Sequence, residues 1–294
     1  MIEQLSVQYG IKDSCLAIGV PRSGYYQWKS RGQTSRASQN RELVGDIASV
    51  FAAHKGRYGS PRVSRVLRER GRRVGKNRVA RLMRQQKLVA RKKRAFRPQT
   101  TIAAKQTQPH RIAGLEPHRP DQIWVSDITY VATAEGWLYL AVILDLFSRR
   151  VVGWKLGDTL EASLVETALQ NALLLRQPQA GLLFHSDRGS QYMSQLVRKP
   201  LELIQAVGSM SAAGNCYDNA KAEAFFSTLK TECFPATNCF TSKAQARRTI
   251  FEYIEVYYNN QRMHSALAYQ SPKQFEAAQT QRKKPLFRRK SKQT

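Results

Sequence analysis

The pattern of apolar and polar positions changes once along the chain, near residue 121. Before that point apolar residues recur at helical spacing, as between Asn40 and His54, where Leu43, Ile47 and Val50 share one face. After it, runs rich in Val, Ile, Tyr and Trp alternate with short turns, which is typical of strands. The sequence therefore predicts a helical N-terminal part followed by a domain built around a sheet.

Residues 58–90 are predicted to form a helix-turn-helix-like module. Its first helix starts at Ser60 and stops at Gly71, and Asn77 is expected to cap the second. The outward faces are almost entirely positive, with only Glu69 opposing them, whereas a merely solvated face usually mixes signs. We therefore expect DNA contact rather than simple solvation. The candidate DNA-binding residues here are Arg62, Arg65, Arg78 and Arg81.

The order of elements after residue 121 predicts the fold class. Residues 122–131, 137–148 and 149–156 read as an antiparallel meander. Amphipathic helices are expected at 160–176, 194–204, 219–231 and 243–258, and short strands at 181–186 and 206–210. Three strands, helix, strand, helix, strand and helices describe an α/β fold, a mixed sheet covered by helices, as in ribonuclease H-like nucleases.

Charge divides the chain in a similar way. The net charge is +27, but residues 1–120 hold 27 Lys or Arg against six acids, whereas residues 121–281 hold 14 basic and 15 acidic residues. Residues 282–294 add seven basic residues and no acid. A near-neutral domain between a basic arm and a basic tail predicts a catalytic domain delivered to a polyanion. A generally basic, ribosome-associated protein remains the alternative, because phosphate attraction carries no sequence information.

These patterns predict five segments and a cellular setting. The segments are an N-terminal helical segment (1–57), the basic module (58–90), a basic and proline-containing linker (91–120), the catalytic core (121–277) and a basic tail (278–294). The four cysteines lack C-x-x-C spacing, and we expect free thiols in a reducing cytoplasm. No apolar run reaches the roughly 18 residues of a membrane span, so no membrane partner is expected.

Three carboxylates are the candidate catalytic residues. Asp127 lies in the middle of a predicted strand that supplies no basic partner, and Asp187 ends another. Glu223 follows on an amphipathic helix after 35 intervening residues (188–222). A buried acid is costly unless something positive holds it. The alternatives are a salt-bridged core acid at 127 and a turn or cap acid at 187.

Three converging acids without a paired base favour hard divalent cations. Two Mg²⁺ ions, with Mn²⁺ as a substitute, could activate the attacking oxygen and stabilise the leaving one in phosphodiester chemistry. Lys230 lies two helical turns from Glu223 on the same side, and Asn219 borders the same strip, so both are candidate DNA contacts; an ordinary exposed pair is the alternative. His185 is expected either to support the site or simply to be packed.

Six motifs carry a family resemblance that covers nearly the whole chain. They are GVPRSGYY (19–26), YGSPRVSRVLRERG (58–71), IWVSDITYV (123–131), HSDRGSQY (185–192), GNCYDNAKAEAFFSTLKTE (214–232) and NNQRMHSALAYQSP (259–272). The chain resembles the downstream-frame, or OrfB-type, DDE transposases of bacterial insertion-sequence family three, whose catalytic core is similar to retroviral integrase. Ala268 stands where that family usually has glycine.

The resemblance implies a function and its partners. Asp127, Asp187 and Glu223 would be the metal-binding triad of a polynucleotidyl transferase that cleaves and transfers DNA strands, and Lys230 would contact the transposon end. Partners would be double-stranded DNA at the bacterial nucleoid, further copies of the chain (at least a dimer) and the upstream-frame protein. Two alternatives stay open: a ribonuclease H-like nuclease or resolvase, and a non-catalytic DNA-binding regulator of a longer fusion transposase.

Overall fold

The chain forms two compact units, residues 1–90 and 91–294. The structure is a computed structural model that describes residues 1–30, 35–91, 109, 111–112, 114–211 and 220–282. Most of the predicted linker, Asn219 and the basic tail beyond Arg282 lie outside the described residues. The finer division into five segments stays a prediction.

The first unit is helical where it is described. Its helices are α1 (Ile2–Ile18), α2 (Arg22–Ser30), α3 (Ser35–Ala53), α4 (Ser60–Glu69) and α5 (Lys76–Gln85). The amphipathic helices α3, α4 and α5 pack together and bury apolar side chains such as Val50, Val63 and Val79. The predicted cap at Asn77 is wrong: the N-cap is Gly75, two residues earlier, and α5 begins at Lys76, so Asn77 lies inside the first turn.

The second unit contains the predicted mixed sheet. Its strands are β1 (Ile123–Thr133), β2 (Gly136–Asp145), β3 (Val151–Gly157), β4 (Leu183–Ser186), β5 (Val207–Met210) and β6 (Cys239–Phe240). The order is β3-β2-β1-β4-β5, with β6 pairing the end of β1. β1, β2 and β3 are the predicted antiparallel meander, while β4 is parallel to β1 and β5 to β4. The α/β fold class is confirmed.

Helices cover this sheet. They are α6 (Ala162–Arg176), α7 (Gln195–Leu203), α8 (Ala220–Cys233), α9 (Lys243–Phe251), which continues as a π-helix (Glu252–Tyr258), and α10 (Pro272–Arg282). α6 crosses β2 and β3 closely, since a Cβ at Gly153 would overlap the Ala168 carbonyl oxygen. Among the described residues no helix has the length and apolar character needed to span a membrane.

Candidate active site

Two neighbouring strands bring the first two predicted acids to the same level of the sheet. β1 and β4 are parallel, and their last registered pair is Ser126 with Ser186. Asp127 and Asp187 each follow that pair by one residue, and adjacent strands are roughly 4.8 Å apart. β1 continues through Asp127, whereas β4 ends before Asp187. The sheet itself therefore places these two carboxylates side by side.

Two negative charges and one positive charge act on Asp127. It is half-buried, and its Oδ1 accepts a hydrogen bond of 2.8 Å from the Ile128 backbone N–H. Burial, the Asp187 charge and the Glu223 charge raise its pKa to about 8, although the Ile128 N–H and Lys230 act in the opposite direction. Without further positive charge, this carboxyl would therefore be largely protonated at neutral pH.

The loop after β4 holds Asp187. Its Oδ1 accepts a hydrogen bond of 3.0 Å from the Gly189 backbone N–H. A Cβ at residue 189 would lie 3.0 Å from both that oxygen and Oε1 of Gln191, so the close approach favours glycine. The Nε of the neighbouring Arg188 donates a hydrogen bond to the Ser211 carbonyl oxygen.

Helix α8 brings Glu223 and Lys230 to the same side of the sheet. It packs on β1 through a buried face that includes Ala222, Phe225 and Leu229, as its amphipathic pattern predicts. Glu223 is exposed, and Lys230 is half-buried. Burial lowers the pKa of Lys230, while the Asp127 charge acts against that shift. Asp127 therefore interacts electrostatically with all three other members of the predicted site.

We call Asp127, Asp187 and Glu223 the acid cluster. In the described part of the chain, no three His, Cys, Asp or Glu side chains are close enough together to hold a metal ion. Glu223 accounts for a smaller part of the Asp127 shift than Asp187 does. Like charges repel at short range, so three ionised acids are expected to close up only around a cation.

Tyr192 is a member of this region that sequence reasoning missed. Its ring is buried and its hydroxyl lies 3.2 Å from Oγ of Ser126. Burial and the charges of Asp127 and Asp187 raise its pKa well above the ordinary value, so the hydroxyl stays protonated. The only sequence signal was its place in HSDRGSQY. The Tyr192 hydroxyl therefore lies within electrostatic reach of both acids.

His185 is packed rather than part of the site. It is fully buried, and its ring nitrogens lie 3.0 Å from Oγ of Ser209 and 3.1 Å from Oγ of Ser211. These contacts join β4 to β5. Of the two readings left open by the sequence, the structure favours the packed one.

The four candidate arginines of the first unit differ in what they contact. Arg78 donates two hydrogen bonds to Oδ1 of Asn40, at 3.0 and 2.8 Å, and so ties α5 to α3. Arg62 lies over the Tyr58 ring, and Arg65 forms an exposed ion pair with Glu69 at 2.9 Å. Arg81 is exposed and has no ion pair within the described residues. Arg81 is thus the best placed of the four for a partner outside the chain.

Comparisons with known proteins identify both units. Residues 38–96 match the HTH-like domain family, and residues 117–216 and 223–279 match integrase core domain families. The chain is 39% identical over 279 residues to the InsF transposase of insertion sequence IS3A from Escherichia coli strain K12, covering 94% of this chain and 96% of that protein. It is 40% identical over 245 residues to the transposase of element IS904 from Lactococcus lactis, covering 82% and 96%.

Among solved structures, the magnesium complex of the HTLV-2 integrase catalytic core is weakly similar. It has a TM-score of 0.40 and 14% identity, and the match covers 55% of this chain and 99% of that one. The sequence relatives are much closer and span both units. On that basis the chain belongs to the IS3 family of insertion-sequence transposases, which are polynucleotidyl transferases with an integrase core.

Proposed function

We propose that Asp127, Asp187 and Glu223 bind the divalent cations with which this transposase cuts and joins DNA strands. The supporting observation is the pKa of Asp127, raised to about 8 by burial and by the charges of Asp187 and Glu223. Acids that disfavour one another's ionised form in this way are stabilised as carboxylates when a cation binds between them. Carboxylate oxygens are also the ligands that Mg²⁺ prefers, so the residues present fit such an ion.

Each side chain has a role in this proposal. When bound, two Mg²⁺ ions would activate the attacking oxygen and stabilise the leaving oxygen of a phosphodiester. Asp127 and Asp187 present their oxygens from adjacent strands, and Glu223 completes the set from α8. Lys230 donates hydrogen bonds to a phosphate of the transposon end. Tyr192 keeps water away from the buried side of the acids.

The reaction needs no covalent protein intermediate. Water first attacks the phosphodiester at the end of the element and releases a 3′-hydroxyl. That hydroxyl then attacks a second phosphodiester in line, forming one P–O bond while the P–O bond to a 3′-oxygen breaks. We infer that the first such attack joins the two ends of the element.

We also infer the partners from this chemistry. Two transposon ends must be held together, so at least two copies of the chain act on double-stranded DNA. Arg62, Arg65 and Arg81 would contact DNA from the helical unit and Asn219 from the core, whereas Arg78 mainly holds helices together. The upstream-frame protein of such elements is a further expected partner.

A strand-cleavage and joining assay tests the assignment of the acids. Labelled insertion-sequence ends are incubated with protein and Mg²⁺, and with Ca²⁺ for binding alone. Asp127→Asn, Asp187→Asn and Glu223→Gln should each lower both products by about 10³-fold or more while end binding persists. Asp158→Asn is the matched control, because Asp158 is exposed and, among the described residues, forms its ion pairs with Lys243 and Arg247.

The assay also separates the alternatives. A variant of the acid cluster that still joins strands removes that residue from the proposed site. Cleavage without joining would indicate a hydrolytic nuclease. End binding by the wild type without any Mg²⁺-dependent product would indicate a regulator of a longer transposase.

A further inference from the structure

A small cavity lies on the other side of α8 from the acid cluster and is lined by basic side chains. Its volume is about 80 Å³, and its lining includes Arg149, Lys221, Arg262 and His264. Lys221 and Glu223 are two residues apart on the helix, so they project about 200° away from each other. The cavity is therefore distinct from the proposed catalytic site.

Two of these charges are not part of an ion pair within the described residues. Arg149 and Lys221 form no ion pair or side-chain hydrogen bond with any described residue, and the Arg149 charge acts directly on Lys221. Burial lowers the pKa of Arg149, since its guanidinium loses water there without gaining an acid. The Arg149 backbone is also left-handed, with φ at 62°, a conformation that costs glycine less than arginine. A purely structural turn would not need an arginine at this position.

Tyr258 adds an unused donor to the same cavity. It is 3% exposed, and its hydroxyl makes no hydrogen bond within the described residues. The charges of Arg149 and Arg262 act on this hydroxyl, which places it among the cations. A tyrosine hydroxyl at this position can donate a hydrogen bond to an acceptor oxygen in the cavity.

The acids near the cavity are already engaged or lie at the surface. Glu232 binds Arg262 through both carboxylate oxygens, at 2.8 and 2.7 Å. Asp145 also lines the cavity, and its carboxylate accepts hydrogen bonds from the backbone N–H groups of Asp121 and Ser148. Glu116 acts on Lys221 from an exposed position. Positive charge and a hydroxyl donor therefore dominate what the cavity offers to a ligand.

We propose that this cavity binds one backbone phosphate of DNA. A volume of about 80 Å³ corresponds to roughly two or three water molecules, which suits a phosphate group but not a base. Two cations and a hydroxyl match the charge and the acceptor oxygens of a phosphodiester. The proposal uses the family's action on DNA and adds a contact on the side of α8 opposite the catalytic acids. It does not depend on which residues are catalytic.

The salt dependence of DNA binding tests the proposal. We compare the wild type with the double variant Arg149→Gln/Lys221→Gln, using a short duplex of an insertion-sequence end in Ca²⁺. Loss of one phosphate contact should weaken binding about ten-fold and make the slope of log K against log salt shallower by about 1. The control, Lys155→Gln/Lys199→Gln, removes two exposed charges elsewhere and should change the slope less.

Thermal unfolding in inorganic phosphate distinguishes binding of free phosphate from binding of a DNA phosphate. It also shows whether the variants are folded. At matched ionic strength, phosphate should raise the Tm of the wild type more than chloride does, and Tyr258→Phe and the double variant should lose that difference. A phosphate effect with an unchanged DNA slope would mean that the cavity binds free phosphate, which overturns the DNA assignment. Equal slopes for the double variant and the control, or no phosphate effect, would also overturn it.

The outcome is independent of the catalytic assignment. If Asp127→Asn still joins strands, the proposed catalytic site fails, but a shallower slope for the double variant would still support the phosphate contact. If Asp127→Asn is inactive and the slope is unchanged, the cavity proposal fails alone.

Discussion

Acidic side chains occur in two contrasting settings within the same unit. In the acid cluster, Asp127 faces the charges of two other acids, and its pKa rises to about 8. At the other setting, Asp121 and Glu276 are held by Arg176, with N–O distances of 2.8 and 2.9 Å, and Arg150 also reaches Glu276 at 2.7 Å. In the first setting two of the three charges acting on Asp127 are negative, whereas in the second each acid is paired with an arginine.

Glu232 is also an acid whose charge is balanced by an arginine. It is 5% exposed, bound through both oxygens by Arg262, and accepts a further hydrogen bond of 3.0 Å from the Tyr253 hydroxyl. The contact between Glu232 and Arg262 joins α8 to the segment after the π-helix. The contrast indicates that a buried acid paired with an arginine has a structural role in this protein. An acid whose neighbours are other acids is instead a candidate for a catalytic role.

The largest effect on stability should come from breaking the most buried pair. Arg262→Met would leave Glu232 as a buried charge without its arginine and should lower the free energy of unfolding by about 3–5 kcal/mol. Urea denaturation measures the change. The double variant Arg262→Met/Glu232→Gln should lose less than the single variant, since no buried charge is then left alone. Equal losses would contradict the structural role of the pair.

A smaller loss of stability is expected when Arg176, which holds Asp121 and Glu276, is replaced. Arg176→Met should cost about 2–3 kcal/mol, because Arg150 still holds Glu276. Burial opposes ionisation of Glu276, but the hydrogen bonds and charge of Arg176, together with Arg150, bring its pKa below the ordinary value. A depressed pKa contributes stability above the unfolded-state value, and that contribution disappears as pH falls. The difference between variant and wild type should therefore shrink below about pH 4; a constant difference would contradict it.

The contribution of the acid cluster to the free energy of unfolding should depend on pH in the opposite sense. Because the folded-state pKa of Asp127 is raised to about 8, the metal-free wild type should lose stability as pH rises from about 4 to about 8. The slope due to this group is at most about 1.4 kcal/mol per pH unit. Asp127→Asn should remove that component, as measured by urea denaturation in chelator. Identical pH profiles for the two proteins would contradict an uncompensated acid at this position.

The smallest effects are expected for two arginines of the helical unit, one with a hydrogen-bond partner in the chain and one that is exposed. Arg78→Gln should lower its stability by about 1 kcal/mol through the lost bonds to Asn40. Arg81→Gln should leave the Tm unchanged and make the salt slope of DNA binding shallower by about 1. Thermal unfolding and fluorescence anisotropy provide the two readouts. The reverse pattern would show that the contacts within the chain do not identify the DNA-facing residue.

Long, regular elements were predictable from the sequence, and short or context-dependent ones were not. The meander was clear because its strands are long and rich in β-branched and aromatic residues. β6 has only two residues and no periodicity, and α10 was missed because its apolar face is weakly marked. Ala268 adopts a φ of 52°, which gives a physical reason for the glycine that the family usually has there.

The candidate site was predictable only in part for the same reason. A carboxylate within or directly after an apolar strand is conspicuous, so Asp127 and Asp187 could be singled out from the residues alone. Tyr192 and Tyr258 look like ordinary core aromatics in the sequence, because their roles depend on which charges the fold brings near them. The separation of Arg78 from Arg81 likewise depends on the position of Asn40, which only the packing of α3 and α5 determines.

Mn²⁺ binding in the presence of an uncleavable DNA end tests the central claim most directly. Electron paramagnetic resonance would measure bound Mn²⁺ for the wild type, Asp127→Asn, Asp187→Asn, Glu223→Gln and the surface control Asp158→Asn. We predict that each variant of the acid cluster binds Mn²⁺ at least about ten-fold more weakly, while the control matches the wild type. Equal Mn²⁺ binding by all five proteins would contradict the claim that these three acids hold the cations.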